Sequence, residues 1–588
     1  MSSFLLLVGD EPQVAAVQAR HLDRSTADPR LTLRARHSGV RLYAQDPLPV
    51  TPFREQSGFI IGRWFRRAPT SRSTPITDAE TSAILATQGR WLIDHLWGGY
   101  LAVVADVACP TRHVVLRDAS GSFPVYHVET AGCSVYFDDV AVPIALGLLD
   151  PLPDVAFARH WLAYSGLRAS RTGFAAVAEL MPGSAHAVID GRTKSTALWS
   201  PWDHATPERQ FDDFDEAAAA LHDVVHHCTR LLADGTDRTV LELSGGLDSS
   251  IIAAALAPAG ADLSAMTFWT SAPDGDERSY ARKTAALCRL PLAEISLDPL
   301  AFTPDAIVRH RGLRPGNHPA LHAIDDAFGA HLDAVAARAL LTGTGGDNVF
   351  CYLTTAAPVV DAFRTFGLSR MTFSALADVA DLNGTTLWTA ARFAWRKARR
   401  RERTAGHWPL AGDFIAPDAI PERPDRHPWL DRPARALPGK VEHIEAIVRI
   451  QALLDVAARG VGRTVIHPLL AQPIVETCLR IPSWMWVAGG HNRAVARAAF
   501  AEALAPAVRT RRGKGRLESI CLPLYCAERR TWRDLLLGGW LAQNRIIDTD
   551  AVDGFLAKDA TPSDDRYFRI FDLISIERWA RGWIDTGS

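Results

Sequence analysis

No Cys-x-x-Cys pair occurs in the 588 residues, and the 8 cysteines stand singly along the chain. This excludes a cysteine zinc site and a paired redox motif, and it suits thiols kept reduced in a cytoplasmic protein. Long hydrophobic runs are missing as well. No stretch approaches the roughly 18 uncharged apolar residues of a membrane span, and the opening MSSFLLLVGDEP has too short an apolar run and no basic flank for a targeting signal. A strand is expected there instead. Neither charge is in excess: 64 Lys+Arg against 66 Asp+Glu leave −2, which argues against a general nucleic-acid binder. What remains is a globular composition, 47% hydrophobic and 22% charged, on a chain too long for one core.

From Phe4 to about Asp139 short alternating segments such as FLLLV, GVRLYA, GFIIGRWF, YLAVVADV and SVYFDD predict a β-rich first domain. Periodicity breaks over Trp199 to Asp213, which sets a boundary between domains at 1–205 and 206–588. Beyond it an amphipathic helix, FDEAAAALHDVVHHCTRLLA, precedes the strand TVLEL, and strands then alternate with helices, the pattern of a parallel α/β sheet. Residues from about Val441 read as mostly helical, and the Pro- and Trp-rich stretch Thr404 to Gly439 as long loops over a site.

The chemistry concentrates in LELSGGLDSS. Ligands of a parallel sheet bind beyond the carboxyl ends of its strands, and here a strand stops in two glycines and then enters a helix. Gly245 and Gly246 let an oxyanion approach the backbone, the helix start supplies N–H groups and a favourable dipole, and Ser244, Ser249 and Ser250 add hydroxyls. Asp248 is placed to hold a magnesium ion with the phosphates of ATP. An ordinary strand-to-helix turn uses the same residue types. A second glycine turn, TGTGGDN, follows a second apolar strand and also ends in a carboxylate, so Gly343, Gly345 and Asp347 could face the first turn across one magnesium nucleotide. The signatures G-x-x-x-x-G-K-[ST], G-x-G-x-x-G and G-x-S-x-G are missing.

SGGLDSS, with MTF, DGDERSYARKTA, LLTGTGGDNVF, HPLLAQPIVETCLRIP and NRAVARAAFAEALAPAVRTRRGKG, resembles the ATP-pyrophosphatase domain of asparagine synthetases, and GGYLAVVAD with LRDASGSFPVYHV resembles their first domain. The resemblance implies mixed α/β and α+β architecture: an N-terminal αββα glutaminase-like sandwich of the N-terminal-nucleophile type, and a C-terminal doubly wound domain like the adenine nucleotide alpha hydrolases. It implies ATP and Mg2+ as cofactors, adenylation of a carboxylate, and displacement of AMP by an amine. Backbone groups at Thr267 and Phe268 would hold adenine, and Lys514 would meet the oxyanion and α-phosphate. A solvated basic loop is the other reading of RRGKG.

The sequence departs from that family in three places. Glutamine-dependent members begin with a nucleophilic cysteine after Met1, and this chain has Ser2, so an inactive glutaminase is expected and the nitrogen would come from an amine substrate. The family's glutamate ahead of its PFLD segment is replaced in GVGRTVIHPLL, with Gly462 at its place, and Asn348 follows Asp347 where the family commonly has Glu. A peptide α-amine, with a pKa near about 8, needs a strong base less than other amines do. This favours lasso peptide cyclases, whose insert resembles RPDRHPWLDRPARALPGKVEHIEAI, over β-lactam synthetases or a non-catalytic scaffold. His467 could act as replacement base or simply pack beside Pro468. The partners implied are a precursor (core) peptide, a leader peptidase and a leader-binding protein. His222, His226 and His227 read as a solvated helix face, and WRKARRRER as a charged surface helix, with docking of an acidic leader peptide as the alternative.

Overall fold

The computed structural model describes residues 3–22, 30–67, 75–105, 109, 112–189, 192–257, 262–270, 276–298, 300, 312–316, 319–399, 406–454, 462–513, 518–558 and 564–585. Ser2 and Lys514 lie outside them.

Strands β1 (Phe4–Gly9), β2 (Thr32–His37), β3 (Val40–Ala44), β4 (Val50–Pro52), β5 (Gly58–Arg66), β6 (Leu96–Ala105), β7 (Arg112–Arg117), β8 (Tyr126–Thr130), β9 (Cys133–Phe137), β10 (Val177–Glu179), β11 (Ser184–Ile189) and β12 (Arg192–Ala197) form two six-stranded sheets. Their orders are β10-β8-β9-β1-β3-β2 and β12-β11-β7-β6-β5-β4. The period-two pattern explains why they stack: Phe4, Leu6 and Val8 face Leu101, Val103 and Val115 between the sheets, while the alternate residues point outward. Leu5 and Leu7 meet helices α1 (Glu11–Val17) and α5 (Val155–Ala163), and Tyr100, Ala102 and Leu116 share a core with α2 (Asp78–Ala86) and α3 (Arg90–His95). The result is the αββα sandwich expected from the sequence. Helix α4 (Ala141–Ala145) follows β9.

Helix α6 (Phe214–Ala233) leads into the third sheet, built from β13 (Thr239–Glu242), α7 (Leu247–Leu256), β14 (Leu263–Trp269), α8 (Arg278–Cys288), β15 (Leu292–Ser296), α9 (Pro319–Ala334), β16 (Ala339–Leu341), α10 (Gly346–Val349) and β17 (Thr464–Ile466). All its pairings are parallel, in the order β15-β14-β13-β16-β17. The chain therefore winds outward from β13 through β14 to β15, then crosses back to β16 and winds the other way. Helices α7 and α8 lie side by side, whereas α9 meets the helices Glu518–Leu537 and Tyr567–Ile584. This is a doubly wound α/β domain whose winding reverses between β13 and β16.

Three helices, α11 (Ala357–Phe366), α12 (Arg370–Leu382) and α13 (Leu387–Arg399), form an appended module, followed by α14 (Pro438–Gln451), α15 (Gln472–Arg480) and α16 (Ala494–Ala499). The described part of the Trp- and Pro-rich stretch, residues 406–439, packs against the sandwich. Trp408 and Trp429 are buried, Trp408 Nε1 donates to the Ser165 carbonyl at 3.0 Å, and Trp202 Nε1 donates to the Trp429 carbonyl at 2.8 Å. Tyr164 donates to the Pro421 carbonyl, and Arg171 pairs with Asp425. Its aromatic residues are thus spent on the joint with the sandwich. The same joint buries Glu179 among Arg168, Arg314 and Arg117. Burial alone pushes that carboxyl up, but the three guanidinia hold it far below the usual range.

Candidate active site

Both glycine turns leave the sheet at the reversal point, one from β13 and one from β16, so the topology alone brings them together. They touch. A methyl on Gly346 would lie 2.3 Å from Cγ of Asp248, and one on Gly343 would lie 3.0 Å from the Ser249 nitrogen. Gly245, at φ +70°, also lets α8 approach, since a Cβ there would sit 2.6 Å from the Ala281 nitrogen. By contrast a Cβ on Gly246 would meet only Ser244 Oγ, at 3.2 Å. Open space therefore remains over the start of α7, where no side chain caps Gly246. The first N–H groups of a ten-residue helix face that space.

The contact between the turns places Asp248 and Asp347 on one cation. Nη1 of Arg493 donates to both oxygens of Asp248, at 3.0 and 3.3 Å, and to Oδ1 of Asp347. The Arg493 and Asp248 side chains are only 10% and 11% exposed, so the pair is largely desolvated. Arg493 sits at the start of α16 with φ +54°, a left-handed conformation unfavourable for a non-glycine residue. Strain of this kind at a paired-carboxylate slot marks a constrained site. Two converging carboxylates are a hard-oxygen donor set suited to magnesium, and the guanidinium shows that the slot accepts positive charge.

Arg497, one turn on, secures the segment that runs to Arg511. It donates to Asn492 Oδ1 and to the Arg511 carbonyl, each at 2.9 Å, and to the Val508 and Arg509 carbonyls. Burial and the Arg493 charge lower its pKa to about 10. Arg511 in turn stacks on Tyr280 at 4.2 Å and pairs with Glu277 beside the first glycine turn. A family model for asparagine synthase matches residues 220–581, well over half of the chain. The chain belongs to the asparagine synthase family. It is therefore an ATP-dependent carbon–nitrogen ligase that forms an amide bond and yields AMP and pyrophosphate. No curated protein matches it. Among solved structures it is similar to an allosteric regulatory enzyme of purine biosynthesis, at 10% identity over 50% of this chain and 80% of that chain, with a TM-score of 0.21. It is also similar to the glutamine phosphoribosylpyrophosphate amidotransferase of B. subtilis complexed with ADP and GMP, at 12% identity over 50% of this chain and 65% of that one, with a TM-score of 0.20.

Most residues that the sequence singles out in this asparagine synthase family member converge on the reversal point. Ser244 and Ser249 join through their hydroxyls at 3.2 Å, and Gly345 opens α10 at φ +90°. Thr267 and Phe268 end β14, next to β13. His467 follows β17, where its Nδ1 shares a 2.8 Å hydrogen bond with Thr342 Oγ1. Ser250 is an exception: it is fully buried and bonded to Thr284 of α8 at 3.1 Å, so its hydroxyl braces two helices. Gly462 is another. It is exposed and precedes β17, which places it at the amino ends of the parallel strands, across the sheet from both turns. No side chain at position 462 would reach the crevice, so its glycine carries no information about the base. Asn348 donates to the Ala446 carbonyl at 2.8 Å and so secures α10 against α14. His222 and His226 pack at a tilt against each other, His226 stacks on Phe500, and no metal-holding cluster occurs among the described residues.

Sequence reasoning missed Arg493. Its only signal is one arginine among three in NRAVARAAFAEALAPAVR, with nothing to separate it from the others. Replacing Arg493 by alanine should remove the guanidinium that the two carboxylates share and lower stability by about 3 kcal/mol in chelator, as for other broken buried pairs. Millimolar magnesium should restore most of that loss in thermal unfolding. A variant that magnesium stabilises no more than the parent would show that the two carboxylates do not form a metal site.

Proposed function

We propose that this ligase closes a macrolactam ring on a peptide. An Asp or Glu side chain of the precursor would be adenylated, and the peptide's own N-terminal amine would displace AMP. The observation that supports the adenylation half is the pairing of Asp248 and Asp347 at the reversal point. In this reading the β- and γ-phosphates of ATP lie over the open start of α7, against Ser244, Gly246 and Ser249. The carboxylate oxygen bonds to the α-phosphorus as the bond to pyrophosphate breaks. Asp248 and Asp347 would hold Mg2+, which when bound neutralises charge on the departing pyrophosphate. Arg493 would then turn from the carboxylates towards the phosphates. Backbone groups at Thr267 and Phe268 would hold adenine.

In the second step the amine nitrogen bonds to the acyl carbon and the bond to AMP breaks. His467 is the proposed base, held at the carboxyl end of β17 by the 2.8 Å hydrogen bond between its Nδ1 and Thr342 Oγ1. Lys514 would stabilise the oxyanion. A peptide is favoured over a single amino acid by the resemblance of RPDRHPWLDRPARALPGKVEHIEAI to the insert of lasso peptide cyclases. Tyr352 stands beside Arg493, which lies 5.3 Å over its ring, and is 44% exposed. The reading calls for a precursor peptide, a leader peptidase and a leader-binding protein as partners.

Incubation with ATP, magnesium and a leaderless peptide carrying a free N-terminus and an internal Asp or Glu should give a product lighter by one water. Acetylating the N-terminus should abolish that product. Dehydration of a small β-amino acid, with no response to any such peptide, would replace the macrolactam reading by β-lactam formation.

A further inference from the structure

The helical module α11–α13 carries exposed apolar side chains that the ligase reaction does not use. Leu368 is 81% exposed, Phe373 61% and Trp388 86%. Helix α13 shows how they are arranged. Ala390 and Ala394 pack inward against Val359, Val379 and Val487, and Lys397 is tied to Glu442 of α14. At 3.6 residues per turn, Leu387, Ala391, Trp388, Trp395 and Ala398 then form one contiguous outward strip. Arg399, Arg392 and Arg396 form a second strip along its edge. Phe393, also exposed, lies beyond the cationic strip, so apolar side chains flank the arginines on both sides.

Charge is segregated in the same place. Between Leu382 and Arg399 there are four cations and no acid, although the whole chain carries −2. Arg392 and Arg396 have no acidic partner among the described residues, and Arg399 lies 4.2 Å over the Trp395 ring. Trp beside Arg on an outward helix face suits an interface between apolar and anionic phases: the indoles enter the acyl boundary while guanidinia remain at the phosphates. A nearly bare Trp388 on the outside of a helix has no groove around it to grip a peptide, whereas a bilayer needs no matching shape.

We propose that α13 attaches the protein peripherally to an anionic lipid bilayer, lying in the surface with Trp388 and Trp395 inserted and Arg392, Arg396 and Arg399 on lipid phosphates. No helix among the described residues is long and apolar enough to cross a membrane, so the attachment is to one leaflet. The proposal is independent of the peptide reaction.

The test is sedimentation of the full chain with phosphatidylcholine vesicles and with vesicles also containing phosphatidylglycerol. The parent should pellet with the anionic vesicles, less with the neutral ones, and lose binding as salt rises. Each surface cation contributes roughly a fivefold factor on an anionic bilayer, so R392E/R396E/R399E should weaken partition on the order of a hundredfold. W388S/W395S should weaken it about tenfold through lost insertion. Unchanged pyrophosphate release would confirm that both variants fold. A parent that ignores both vesicles, binds them equally, or binds as well without its tryptophans overturns the proposal. Binding to an acidic protein but not to vesicles would make α13 a protein interface instead.

Discussion

Asp248→Asn and Asp347→Asn should each reduce pyrophosphate release on the order of a thousandfold or more, with circular dichroism close to the parent's and a loss of thermal stability no larger than that of Arg493→Ala, since Arg493 keeps one carboxylate. The amide keeps the size and planarity of the carboxylate, so α7 and α10 keep their packing. What is lost is one of two negative charges on which Arg493 converges. Metal stabilisation of a leaving group supplies several kcal/mol of barrier lowering, and each 1.36 kcal/mol is tenfold in rate. The loss should fall on kcat, since the proposed adenine contacts lie on β14. A variant that turns over at the parent rate would remove its aspartate from the leaving-group site. Loss of ATP affinity alone would make it a binding residue.

Gly346→Ala should be nearly as damaging, for a steric reason. The added methyl would lie 2.3 Å from Cγ and 2.4 Å from Cβ of Asp248, distances that no packing tolerates. The backbone of Gly346 is not in the left-handed region, so alanine suits its dihedral angles and the whole penalty comes from contact. Either Asp248 or α10 must move by about an ångström. A displacement of that size at a reacting centre costs on the order of a hundredfold in kcat/KM, with about 1–3 kcal/mol of overpacking. Gly246→Ala is the control: its Cβ meets only Ser244 Oγ, so the protein should fold normally. If Gly246→Ala also abolishes ATP use, the open space above α7 belongs to the phosphates. Parent-like kcat/KM in Gly346→Ala would show that the register of the two turns does not matter.

The sequence was most legible where structure depends on neighbours along the chain. FLLLV, GVRLYA and GFIIGRWF became strands because their alternation gives each strand two apolar faces, one between the sheets and one under helices. SGGLDSS was legible because a strand, a left-handed glycine and a helix start are consecutive residues. Gly462 misled because alignment by spacing cannot tell which end of a three-residue strand a loop occupies. The packing of Trp408 and Trp429 was not legible because tryptophans buried in a joint and tryptophans lining a cleft look the same in composition.

By itself, then, the sequence determined the two layered domains, the parallel sheet, the two glycine turns and their carboxylates, since each follows from local periodicity and local backbone freedom. Tertiary structure alone decided that Asp248 and Asp347, 99 positions apart, share the guanidinium of Arg493, another 146 positions on. It alone decided that Ser250 faces a helix and that the tryptophans of α13 face solvent. The reason is physical: which side chains meet across a sheet depends on strand order and on where its winding reverses, and neither is a property of any window of residues.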